Sequence, residues 1–147
     1  MTVRTATPDD IDVIIELVRE LAEYEQLADQ VVLDREVFSR HLFGDRPAVT
    51  VLLAEDDGEV VGYALWFPTF STFLGRPGIW LEDVYLRPAH RGKGHGLALL
   101  QAVRDATDGR VEWSVLDWNE PSIRFYQSLG AEPNVGWTTY RWDPDPA

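Results

Sequence analysis

Arg91-Gly92-Lys93-Gly94-His95-Gly96 decides how this chain folds. It follows the apolar run Ile79-Trp80-Leu81-Glu82-Asp83-Val84-Tyr85-Leu86 and opens the helical stretch Leu97 to Thr107, so strand, glycine loop and helix come in that order. Three glycines at alternate positions leave no Cβ to block a close approach, and several backbone N–H groups can converge on one anion at a helix N-terminus. The loop reads as a phosphate cradle, although a glycine-rich turn without a ligand fits the hexapeptide alone. Two common nucleotide loops are excluded. GxxxxGK[ST] fails because no second glycine and Lys-Ser/Thr pair follow, and GxGxxG fails because the third glycine comes one residue early.

The 147 residues suit one domain, 1–147, large enough to bury a core. With 45% apolar residues the chain is globular in composition, and disorder is expected only in the tail Asp143 to Ala147. No basic region followed by an apolar core opens the chain and no apolar run reaches membrane-spanning length, which predicts a cytoplasmic protein without a membrane partner. Cysteine is absent, so disulfides and thiolate chemistry are excluded. Thirteen basic against 25 acidic residues give a net charge of −12, which repels nucleic acid and favours cationic ligands, and also serves solubility. Against it stand Arg87, His90, Arg91, Lys93 and His95, a local basic cluster around the glycine loop.

In chain order, Val3 to Ala6 reads as a strand and Thr7-Pro8-Asp9-Asp10 as a helix start. Ile11, Ile14, Val18 and Leu21 form an apolar stripe, with Glu16, Arg19, Glu20 and Glu23 outside. Asp34 caps a second helix that ends near Phe43 and Gly44. Val49 to Glu55 and Glu59 to Phe67 form a hairpin through Asp56-Asp57-Gly58, and Pro68 to Gly78 reads as the longest loop. After the glycine-loop helix, whose buried face is Leu99, Val103 and Ala106, come a strand from Val111 to Leu116 and a helix from Asn119 to Leu129. A last strand spans Thr138 to Trp142. The order β-α-α-β-β-β-α-β-α-β predicts an α/β (α+β) fold with a mixed central sheet and helices on both faces.

Arg91, Gly94 and Gly96 match the Arg-x-x-Gly-x-Gly pattern of the GNAT N-acetyltransferases. Glu20-Leu21-Ala22-Glu23-Tyr24-Glu25, Leu81-Glu82-Asp83 and Trp118-Asn119-Glu120-Pro121-Ser122 extend the match along nearly the whole chain, which resembles the diamine (spermidine/spermine) acetyltransferase branch of that superfamily. The resemblance implies a GNAT fold, acetyl-CoA as co-substrate and a homodimer. It implies that Val84, Tyr85 and Leu86 meet the acetyl-pantetheine arm through their backbone, and that Arg91, Gly92, Lys93, Gly94, His95, Gly96 and Leu97 hold the pyrophosphate. Asn119 and Ser122 would be further cofactor contacts, and Tyr126 the proton donor. Tyr24, Glu25 and Glu82 match positions that contact the amine in that branch, and Asp29 supplies another carboxylate nearby. The chain departs from the branch where Phe70-Ser71-Thr72-Phe73 replaces an aspartate and a tryptophan, and where Asn134-Val135 replaces glutamates after an inferred three-residue shortening. Fewer carboxylates for a far ammonium predict a short amine, diamine or lysine-like amino acid such as thialysine.

An alkyl ammonium, with a pKa of roughly 10.4, must lose a proton before it attacks a thioester, and Glu82 can take it directly or through water. Pairing with a nearby arginine is the other reading of Glu82. A backbone N–H near Val84 or Tyr85 can bind the thioester oxygen. Tyr126, one helical turn after Ser122, can protonate the departing thiolate, although core packing alone would also explain it. His41, His90 and His95 lack metal-ligand spacing, which predicts no metal site. Alternatives to a small-amine acetyltransferase are an enzyme for protein or peptide amines and a non-catalytic acyl-CoA-binding module.

Overall fold

The computed structural model describes residues 1–145, so Pro146 and Ala147, the end of the expected disordered tail, lie outside the described residues. The chain divides into two compact units, Met1–Ser114 and Val115–Ala147. In the first, strands β1 (Thr2–Thr5), β2 (Thr50–Asp56), β3 (Glu59–Ser71), β4 (Arg76–Leu86) and β5 (Val111–Glu112) form a sheet in that spatial order. All pairs are antiparallel except β4 with β5, which the helix α3 (His95–Asp105) joins as a crossover. Helices α1 (Ile11–Tyr24) and α2 (Arg35–Phe43) precede the sheet's central strands in the chain.

Alternation along the strands assigns the two faces. Val51, Leu53, Tyr63, Leu65 and Tyr85 pack with Ile11, Ile14, Ile15 and Leu17 of α1 and Leu42 of α2 into one core. Leu99, Leu100 and Val103 of α3 are buried on the other face. The α1 stripe is wider than its spacing of three and four suggests, because Ile15 and Leu17 are buried as well as Ile11 and Ile14.

Three strand expectations need correction. Pro68 to Gly78 is not a long loop: β3 and β4 run on as a ladder to Ser71↔Arg76, leaving only residues 72–75 as a turn. Pro68 is tolerated because it lies beyond Trp66, the last β3 residue that β2 pairs, where β3 has a free edge for a residue without an N–H. The strand from Val111 to Leu116 shrinks to two residues, since its ladder with β4 stops at Trp80↔Glu112. Thr138 to Trp142 forms no strand; Tyr140 and Trp142 are 90% and 97% exposed, and strand propensity without a paired neighbour does not hold a strand.

The hairpin behaves as its turn residues dictate. Asp57 and Gly58 take φ 52° and 77° between Asp56 and Glu59, which suits the right-handed twist of the flanking strands. In the second unit, α4 (Glu120–Ser128) starts as expected: the Asn119 side chain accepts from Ser122 N at 3.4 Å, with Pro121 in the first turn.

Candidate active site

The glycine loop lies between the end of β4 and the first turn of α3. Gly92 and Gly94 adopt φ 78° and 91°, and a Cβ at either would meet nothing within 4 Å. The glycines are thus required by backbone conformation and leave open space above the loop. Ala98 N donates to Gly94 O at 3.0 Å as the first bond of α3, so the amides of His95, Gly96 and Leu97 have no acceptor within the helix. Those three N–H groups and the helix dipole suit an anion.

The basic cluster expected around this loop separates in space. Arg87 turns away to Glu16 at 2.9 Å and Glu20 at 3.2 Å, and also donates to Val60 O at 3.2 Å. His90 and His95 both face Asp56, and the His95 side chain is buried, so its imidazole is not offered to an anion at the open side of the loop. Arg91 and Lys93 remain exposed. Arg91 is held in place: its Nε donates to Leu86 O at 2.9 Å, and its guanidinium lies 5.1 Å from the Tyr24 ring centre and 5.6 Å from that of Tyr85. An expected cofactor residue and an expected amine-site residue are therefore neighbours.

A bulge in β4 creates the second half of the site. Leu65 pairs with Asp83 and Trp66 with Leu81, which leaves Glu82 as the extra residue, exposed and outside the ladder. On the other side of β4, pairing with β5 covers only Ile79 and Trp80. Among the described residues no strand pairs with that edge from Leu81 to Leu86, although Leu86 O already accepts from Arg91 Nε. The Tyr85 side chain points to α1, where its hydroxyl donates to Glu20 at 3.2 Å.

Behind the bulge lies a group that the sequence reading left unassigned. Tyr63 OH donates to Asp83 Oδ2 at 2.8 Å. Burial pushes the Asp83 carboxyl up to about 6; the Tyr63 hydrogen bond works against the rise, and the charges of Glu82 and Glu25 add to it. Tyr63 is raised well above its ordinary value, by burial first and then by Asp83, Glu25 and Glu82. Burial also raises Glu25. Glu25 and Glu82 therefore act on Asp83 as like charges, from the C-terminal end of α1 and from the bulge. The available signal was an acid, Asp83, inside the otherwise apolar run Ile79 to Leu86, where a buried carboxyl needs a partner. Asp29 is exposed on a separate turn, Ala28–Gln30. Among the described residues Glu82 makes no ion pair, so the structural pairing with an arginine is not what is found.

Asn119, Ser122 and Tyr126 belong to the second unit. Ser122 and Tyr126 are four residues apart on α4 and share a face, and the Tyr126 ring packs 5.9 Å from that of Phe125.

A glycine loop between strand and helix, a bulged strand and a half-open sheet edge occur here in one order along the chain. Residues 14–131 match the family model described as the acetyltransferase (GNAT) family. The chain belongs to that family. The thialysine N-epsilon-acetyltransferase of Bos taurus is 38% identical, over 96% of this chain and 91% of the relative. The L-ornithine N5-acetyltransferase of Arabidopsis thaliana is 31% identical, over 97% and 84%. An integron cassette protein from V. cholerae has the same fold at a TM-score of 0.79 and 21% identity, over 98% of this chain and 93% of its own. The protein is thus an N-acetyltransferase with the mixed sheet and two-faced helix packing of its family. GNAT acetyltransferases use acetyl-CoA as co-substrate, which agrees with an anion cradle at the loop. Among the described residues no helix is long and apolar enough to cross a membrane.

Proposed function

We propose that this acetyltransferase moves the acetyl group of acetyl-CoA to the terminal amine of a small cationic substrate, a short amine or a lysine-like amino acid, by direct attack in a ternary complex. The observation that carries the choice of a cation is the acidic group Glu25, Glu82 and Asp83, in which the charges of Glu82 and Glu25 act against that of the buried Asp83, a repulsion that an ammonium relieves. Relatives named for thialysine and ornithine both act on an amine at the end of an amino-acid side chain, and this chain takes the same class.

In this reading the amides of His95, Gly96 and Leu97, with Gly92, Lys93 and Gly94, hold the pyrophosphate, and Arg91 supplies the neighbouring positive charge. Val84, Tyr85 and Leu86 meet the pantetheine arm along the open edge of β4, and an amide there binds the thioester oxygen. Asn119 and Ser122 add cofactor contacts. Tyr24 and Glu25, with Asp29 at the rim, bind the amine. Glu82 accepts the ammonium proton, directly or through water. The neutral nitrogen then attacks the thioester carbon, the C–S bond breaks as Tyr126 gives its proton to the departing thiolate, and the second amine proton passes, directly or through water, to the Tyr126 oxygen, which leaves a neutral amide and restores the phenol. The products are the acetylated amine and CoA thiol.

Residues 1–147 act here as one catalytic domain, in a cytoplasmic homodimer without nucleic-acid partners. Thiol release from acetyl-CoA on addition of single amines tests the reading. Amine-dependent thiol with ornithine, lysine or thialysine supports it; no thiol with any small amine, while acetyl-CoA binds, would favour a non-catalytic acyl-CoA module.

A further inference from the structure

Asp56, His90 and His95 come from three places: the last residue of β2, the end of the turn Pro88–His90, and the first residue of α3. Their sequence spacing gives no hint of this, because Asp56 lies far upstream of both histidines. In space one donor atom from each lies within 4.8 Å of the other two. Asp56 Oδ2 stands 3.5 Å from His90 Nδ1 and 3.4 Å from His95 Nε2.

These separations are long for hydrogen bonds, and the buried His90 Nδ1 has no hydrogen-bond partner among the described residues. They are, however, those of two ligands on one tetrahedral ion, since bonds of roughly 2.0–2.1 Å at the tetrahedral angle put adjacent donors about 3.4 Å apart. Burial fits as well. His95 is 2% exposed and so fixed by packing, while His90 and Asp56 are partly open and leave a way in.

We propose that Asp56, His90 and His95 form a site for one divalent transition-metal ion of the zinc class, with a fourth position for water or an anion. Two imidazoles and one carboxylate suit zinc, cobalt or nickel and not magnesium or calcium, which take oxygen ligands. The ion would join the end of β2 to both flanks of the glycine loop. No step of acetyl transfer depends on it.

Titrating the metal-free protein with zinc chloride in a calorimeter tests this, with cobalt(II) absorption as an independent report of tetrahedral coordination. One equivalent should bind and raise the melting temperature. His90→Ala and Asp56→Asn, at partly exposed positions, should each weaken zinc binding at least tenfold while far-UV circular dichroism stays unchanged. His41→Ala, at the exposed third histidine, should bind as wild type does. Absence of zinc binding, or zinc binding unchanged in both His90→Ala and Asp56→Asn, would overturn the site.

Discussion

Tyr63 donates its phenolic hydrogen to Asp83 across 2.8 Å, directly beside the bulge residue Glu82 of β4. The bulge and the hydrogen bond together place one acid outside the sheet and keep the next one inside it. Because Asp83 is buried near two other carboxyls, its ionisation opposes folding. Its folded value is about 6 against 3.8 for a free aspartate, so the group's contribution to stability is fully present below about pH 4 and is lost as the pH rises through 6. The loss amounts to about 3 kcal/mol. Asp83→Asn, which still accepts from Tyr63, should therefore stabilise the protein at pH 7 to 8 and flatten its stability between pH 4 and 6. Urea unfolding across that range measures both effects.

Gly94 holds φ 91° with open space where a Cβ would be. Gly94→Asp adds backbone strain of about 1–3 kcal/mol and a negative charge at the anion site. The expected outcome is a folded protein of lower melting temperature without measurable acetyl-CoA binding by calorimetry. Unchanged affinity in a folded variant would remove the loop from the cofactor site.

Tyr126→Phe keeps the ring that packs on Phe125 and removes the hydroxyl. Proton donation by a positioned group contributes roughly a hundred- to ten-thousand-fold, so turnover should fall within that range with little change in acetyl-CoA affinity. Nearly full turnover under conditions where chemistry limits the rate would rule out an essential acid role.

Glu25→Gln removes one charge from the carboxyl trio. A charge-assisted hydrogen bond is worth roughly 1.5–3 kcal/mol, so the amine KM should rise about ten- to a hundredfold while acetyl-CoA affinity stays as it was. The variant should also lower the Asp83 carboxyl toward its ordinary value, because one of the charges that raises it is gone. Carboxyl-resolved NMR titration reads that second effect.

Much of this was legible in the sequence because it rests on local rules. The glycine loop, the Asp57-Gly58 hairpin and the Asn119 cap are each set by residues within a few positions of one another, and all three form as read. Pairing is different. Whether Pro68 to Ser71 extends β3, and whether Thr138 to Trp142 becomes a strand, depends on which neighbour lies alongside, and local composition does not encode that. The same limit applied to the site. Asp56 meeting His90 and His95, and Glu20 drawing Arg87 away from the loop, are products of the sheet register and of α1 packing. Glu82 stands out in the sequence as a match to an amine-contacting position, and the bulge that turns it outward is visible only when Leu65 and Trp66 are matched to Asp83 and Leu81.

The central claim is that a small cationic amine is acetylated at the carboxyl trio and that no second acidic subsite rewards a long polyamine. Steady-state kcat/KM for thialysine, lysine, ornithine, putrescine, spermidine and spermine, read as CoA thiol, tests it most directly. The account predicts the highest value for a short amine or a lysine-like amino acid, with a marked fall in Glu25→Gln. A highest value for spermine, or one indifferent to Glu25→Gln, would contradict it.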